Sequence, residues 1–94
     1  VDDRGRLVGI LSDRDVLRFL ARAASATIGD VMTKNPFTVK PDTPAHLAAQ
    51  IMLDRTIGSL PVVNEEGELV GLVTQTDFLE VARRAMLSLP LDNA

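Results

Sequence analysis

Apolar positions along the chain alternate between short continuous runs and stretches with a helical period. Leu7–Leu11 and Glu68–Val73 are rich in Val, Ile and Leu, and each is entered from a Gly-containing turn. Both predict buried strands. Each run is followed by a hydroxyl residue, Ser12 or Thr74, and then by a 3.6-residue pattern. Val16, Leu17, Leu20 and Ala24 share one face of the first predicted helix, and Phe78, Leu79, Ala82 and Met86 one face of the second. Between them, Thr43 as N-cap with Pro44 at the first helical position opens a third helix. Its apolar side carries Leu47, Ala48, Ile51 and Met52, and it ends near Arg55 to Gly58. Phe37–Val39 and Leu60–Val63 flank it as short strands, and the turn Asn64–Gly67 folds Leu60–Val63 against Glu68–Val73 as an antiparallel hairpin. Thr27–Met32 predicts a single helical turn with Thr27 and Asp30 as its cap pair, and Arg22–Ala26 reads as a linker.

The two strand–helix segments are copies of one unit. Asp3–Leu17 aligns with Glu65–Leu79 without a gap, at a constant offset of 62 (Gly67 minus Gly5). Gly5/Gly67, Leu7/Leu69, Val8/Val70, Gly9/Gly71, Asp15/Asp77 and Leu17/Leu79 are identical, and the match runs on to Arg22/Arg84 and Ala23/Ala85. Positions 27–62 of the second copy have no counterpart upstream, and the chain starts at Val1 rather than Met. By this repeat arithmetic the parent protein is expected to extend at least ~36 residues further at its N-terminus. The fold class expected is α+β: a β-α-β-β-α unit, with a small mixed sheet and helices on one side, plus a partial strand–helix half-unit. The half-unit leaves the Leu7–Leu11 strand without its hairpin partner and the Val16–Ala24 helix without part of its packing surface. An open strand edge and an exposed apolar face favour pairing with another chain, so a dimer is expected.

Composition narrows the classes of function. The 94 residues are 46% hydrophobic, which fits one compact domain and is too apolar for a disordered chain. Without cysteine there is neither a disulfide framework nor a thiolate metal site, and a cytoplasmic location is expected. The apolar runs fall far short of the ~20 residues of a membrane span, so no membrane insertion is expected. Phe19, Phe37 and Phe78 are the only aromatic residues and the net charge is −3. Both facts argue against nucleic-acid partners, which require stacking platforms and a basic surface. There is no nucleophile–base pair, no phosphate-binding glycine loop and no nucleophile elbow, so no enzymatic activity is expected of this segment. His46, the single histidine, has no second ligand nearby, and Asp54–Arg55 and Glu80 with Arg83 and Arg84 read as solvated helix faces. Asp2–Asp3 and Glu65–Glu66 read as turn acids.

The informative residues follow the repeated strands: Gly9–Asp15 (Gly-Ile-Leu-Ser-Asp-Arg-Asp) and Gly71–Asp77 (Gly-Leu-Val-Thr-Gln-Thr-Asp). A hydroxyl and a carboxylate three residues apart open a helix in both. That spacing is a capping box. The same geometry also suits a ligand, because backbone N–H groups at a helix start attract anions and the acid can accept from ribose hydroxyls. The two roles are compatible.

Together with Met32–Val39 (Met-Thr-Lys-Asn-Pro-Phe-Thr-Val) and Ile57–Val63 (Ile-Gly-Ser-Leu-Pro-Val-Val), these segments resemble the successive signatures of a CBS motif. Such motifs occur in tandem pairs, called Bateman modules, whose usual ligands are adenosine derivatives. The resemblance covers essentially the whole chain: residues 1–25 correspond to the C-terminal half of a first motif, 26–88 to a complete second motif, and 89–94 to a C-terminal tail. It implies that Asp15 and Asp77 bind ribose hydroxyls and that Ser12 and Thr74 bind phosphate. Arg14 and Thr76 lie between them, and only Arg14 adds charge-assisted contact with phosphate. Phe37, Thr38 and Val39 with Ser59, Leu60 and Pro61 would form the adenine slot; for the aliphatic residues there, core strand is the competing assignment. The first motif's opening strand, first helix and base-contacting segment are absent, so a site that needs them would be incomplete. The function implied is a regulatory module that senses an adenosine nucleotide or derivative (AMP, ADP, ATP or S-adenosyl type) and transmits a conformational change. It would have no obligatory cofactor and would form a homodimer through its CBS motifs. The alternative is a structural dimerisation module without a bound nucleotide.

Overall fold

Two turns with the same backbone frame the fold of this computed structural model, which describes residues 1–19 and 25–89. In the first turn the Asp2 carboxylate accepts the N–H groups of Arg4 and Arg6, each at 2.9 Å. In the second, the Asn64 side-chain oxygen accepts those of Glu66 and Glu68 at 3.1 and 2.9 Å. Gly5 and Gly67 complete them in the left-handed region, at φ 78° and 79°. A Cβ at either would meet nothing within 4 Å, so the requirement for glycine is conformational. The turns also meet each other. Leu7 N–H donates to the Gly67 carbonyl at 3.0 Å, Leu69 N–H donates to the Gly5 carbonyl at 2.9 Å, and Arg6 bridges Glu68. Leu7 and Leu69, Gly5 and Gly67, and Arg6 and Glu68 are repeat equivalents, so an approximate local two-fold axis passes between the last pair.

The first strand is shorter than its apolar run, and it has a partner. β1 (Gly9–Ile10) pairs antiparallel with β2 (Thr33–Lys34), with Gly9 opposite Lys34 and Ile10 opposite Thr33. This partner is not the repeat equivalent of the β3 hairpin strand, but it covers part of an edge that the sequence left unpaired. After α1 (Asp13–Phe19), the short helix α2 (Ile28–Val31) turns the chain back onto β1. The reciprocal Thr27–Asp30 capping box starts α2, as the sequence indicates. Gly9 permits the close approach: a Cβ there would lie 2.5 Å from Met32 Sδ and 2.9 Å from the Thr33 carbonyl. Val16 and Leu17 on α1 are exposed. Leu20 and Ala24 from the same predicted face, the greater part of the Arg22–Ala26 linker and the tail beyond Leu89 lie outside the described residues.

The second unit is built on the hairpin of β3 (Ser59–Val63) and β4 (Leu69–Thr74), with Ser59 opposite Thr74 and a register irregularity at Val62/Val63. Of the Phe37–Val39 strand only Val39 pairs, in a parallel bridge to Val62; it donates to Pro61 at 3.0 Å and accepts from Val63 at 2.9 Å. The parallel step requires a crossover, and α3 (Ala45–Arg55) supplies it. The helix starts one residue later than expected. Pro44 is its N-cap, and Thr43 Oγ1 accepts instead from Lys40 N–H at 3.0 Å, closing the preceding turn. α4 (Gln75–Leu87) follows β4 directly. The core holds Val39, Ala48, Met52 and the fully buried Leu60, with Ile51, Ile57, Val62, Val73 and Phe78 packed around it. Leu47, Leu79 and Met86, expected on buried faces, are exposed.

Candidate functional site

The end of β1 delivers Ser12 and Asp15 to the start of α1 in a reciprocal arrangement. Asp15 N–H donates to Ser12 Oγ at 3.2 Å, while Asp15 Oδ2 accepts from Ser12 N–H at 3.0 Å and from Ser12 Oγ at 3.1 Å. Thr74 and Asp77 reproduce the pattern at 3.2, 2.8 and 3.0 Å. The two copies differ in their surroundings. Asp15 is buried, at 5% exposure, and its other oxygen accepts from the Thr33 hydroxyl of β2 at 2.9 Å. Asp77 is exposed and, among the described residues, makes only the cap bonds. Burial works to raise the Asp15 carboxyl. The Ser12 N–H, the Thr33 and Ser12 hydroxyls and the charge of Arg18 outweigh it and hold the group below its ordinary value.

Asp15 lines a cleft of about 420 Å³, a size suited to a small organic ligand. One wall comes from the first unit: Ile10, Ser12, Asp13, Arg14, Asp15 and Arg18. The opposite wall comes from the second unit: Thr33, Asn35, Pro36 and Phe37, then Arg55 to Ser59, and Pro61. Arg14 spans the two by donating to the Thr56 carbonyl at 3.1 Å. The Arg55 guanidinium lies 4.4 Å from the centroid of the half-exposed Phe37 ring, a cation–π contact. Asn35 and Thr56, the two non-glycine residues with positive φ (51° and 54°) among those described, both sit in this cleft. Such strain persists only where the surrounding structure enforces it, and it concentrates at functional sites.

Among the residues singled out from the sequence, Ser12, Arg14, Asp15, Phe37, Ser59 and Pro61 come together here. Thr38 is exposed outside the cleft, and Val39 and Leu60 are core. Thr74, Thr76 and Asp77 do not line it. Sequence reasoning missed Thr33, Arg18 and Arg55. Thr33 sits within a quoted motif, but its bond to Asp15 spans 18 positions. Arg55, assigned to a solvated helix face, is exposed and also lines the cleft, with its guanidinium over Phe37.

A family profile described as CBS domain matches residues 1–22 and 28–84. The chain belongs to the CBS domain family. Its CBS segment is 47% identical over 72 residues to an inosine-5'-monophosphate dehydrogenase of Korarchaeum cryptofilum, covering 77% of this chain and 15% of that protein. It therefore spans a small part of that dehydrogenase. Among solved structures it resembles the CBS domain pair of protein MJ0100 in complex with 5'-methylthioadenosine and S-adenosyl-L-methionine, at 34% identity and a TM-score of 0.82, covering 90% of this chain and 68% of that one. It also resembles CBSX2 in complex with AMP, at 30% identity and a TM-score of 0.79, covering 92% and 70%. The mixed α+β CBS fold expected from the sequence is the fold observed.

Proposed function

We propose that this CBS chain is a regulatory module whose cleft at Asp15 takes an adenosine nucleotide or derivative and couples its binding to a conformational change. The observation that carries the reading is the buried, ionised Asp15 at the seam between the two repeat units. A carboxylate can accept about four hydrogen bonds, and Ser12 and Thr33 supply three. Capacity remains for a ribose hydroxyl. Ser12 Oγ and Arg14 suit phosphate, while the Phe37, Ile57 and Pro61 side of the cleft suits a flat apolar base. A ligand bridging both walls favours the state in which they are closed, and its leverage equals its differential affinity for the two states. The ligands of the structurally similar CBS pairs support this assignment. We place the chain in the cytoplasm, regulating rather than catalysing. Isothermal titration of the 94-residue chain with AMP, ATP and S-adenosylmethionine tests the reading. We expect saturable heat from at least one of them, lost in Asp15→Asn; no heat from any would overturn it.

A specific observation also favours homodimerisation. α3 and α4 leave an apolar groove of about 500 Å³ between Met52, Leu53, Phe78, Leu79 and Ala82, with Leu53 75% and Leu79 69% exposed. Pairing of two copies along these helices would cover it. Light scattering should then give a dimer that Leu53→Glu with Leu79→Glu dissociates, whereas a wild-type monomer at about 100 µM, far above a micromolar Kd (about −8 kcal/mol), would contradict it.

A further inference from the structure

We propose that Arg6 and Glu68 form a charge key at the local two-fold, by which the turn-and-strand surface of each repeat copy accepts the other copy and rejects its own kind. The backbone alone makes no such distinction. In the first turn Asp2 N–H donates to the Arg6 carbonyl at 2.9 Å and Gly5 N–H to the Asp2 carbonyl at 3.0 Å. In the second, Asn64 N–H donates to the Glu68 carbonyl and Gly67 N–H to the Asn64 carbonyl, both at 3.0 Å. The bonds that join the turns are equally symmetric, from Leu7 to Gly67 and from Leu69 to Gly5. Either turn therefore offers the edge needed to pair with a copy of itself on another chain. The side chains must decide.

They do so at the axis. An antiparallel pair flanked by reciprocal bonds of this kind is a non-hydrogen-bonded pair, in which the Cα atoms approach to about 4.5 Å and the side chains stand close together. Arg6 and Glu68 occupy it. They are repeat equivalents of opposite charge, and so are Arg4 and Glu66 two positions earlier. First-with-second pairing sets a cation against an anion. Second-with-second pairing would set Glu68 against Glu68, and first-with-first Arg6 against Arg6; like charges directly opposite are destabilising. Arg6 Nε donates to Asp2 at 3.1 Å and Glu68 Oε1 accepts from Asn64 Nδ2 at 2.9 Å, so each charge is held by its own turn while it acts across the axis. The join matters for the site, because the cleft at Asp15 takes one wall from each unit.

The test is a charge-exchange cycle in the 94-residue chain, read as the folding equilibrium constant from urea denaturation at low ionic strength, where screening is weak. Arg6→Glu builds within one chain the Glu–Glu contact of second-with-second pairing, and Glu68→Arg builds the Arg–Arg contact of first-with-first pairing. Arg6→Gln and Glu68→Gln remove each charge without adding a like one. We expect each charge-reversed chain to have a folding constant about threefold below that of its glutamine counterpart, the scale of one cross-strand charge pair. The chain carrying both Arg6→Glu and Glu68→Arg should lose clearly less than the product of the two single losses. A single reversal that fails to fold while the double exchange folds would support the key equally. Reversals no worse than the glutamine variants, or a double exchange that loses the full product of the single losses, would overturn it.

Discussion

Asp15 and Asp77 are the same residue type at equivalent points of one repeat, with the same hydroxyl partner three positions earlier, and only their neighbours separate them. Thr33 and burial convert Asp15 from a helix cap into a fixed charge at the seam between units. Because its folded-state value is lowered, the ionised form favours the folded state. That stability is present above the ordinary carboxylate range and is lost as pH falls through the lowered folded value. Asp15→Asn should therefore flatten the acid limb of a stability–pH profile measured by denaturant titration; an unchanged limb would show that Asp15 contributes nothing there. At neutral pH, Asp15→Ala leaves the Ser12 N–H and the Thr33 hydroxyl without their acceptor and should cost about 1–3 kcal/mol. In Asp77→Ala a solvent-exposed acceptor is lost and water replaces it, so its cost should be smaller. The sequence shows both hydroxyl–acid pairs. It could not rank them, because the distinguishing contact lies 18 positions away.

The elements were legible where local chemistry alone decides them. The Thr27–Asp30 box, the Asn64–Gly67 turn, the β3–β4 hairpin and the body of α3 follow from cap residues, glycine and periodicity. Departures occur where tertiary partners decide: β1 shrinks to the two residues that find β2, and Thr43 closes a turn instead of capping α3. Three substitutions test this level by chemical denaturation. Gly67→Ala forces a Cβ into a left-handed turn with open space around it, and should cost about 1–2 kcal/mol from conformation alone. Thr56→Gly relieves the same strain at the C-cap of α3 and should stabilise by up to about 1 kcal/mol, since the Arg14 contact is to its backbone carbonyl. Leu60→Ala opens a cavity at the fully buried centre of the core and should cost about 2–5 kcal/mol.

For the whole molecule, the repeat organises the chain and the proposed site lies across it. The local two-fold at Arg6 and Glu68 joins the two copies of the repeat, and the β1–β2 pair then sets Asp15 against the Thr33–Phe37 and Arg55–Pro61 segments. The sequence carried both walls of this cleft as separate motifs. Which Ser/Thr–Asp pair faces the Thr33–Phe37 segment was not legible, since that is settled by strand pairing between units rather than by spacing within one. The most direct test of a site at this seam is an amide chemical-shift map of the ¹⁵N-labelled chain during titration with ATP. The account expects the largest shifts at Ser12 to Asp15, Thr33 to Phe37 and Thr56 to Ser59, with Thr76 and Asp77 nearly unmoved. Shifts centred on Thr74 to Asp77, with Ser12, Asp15 and Thr33 unmoved, would contradict it.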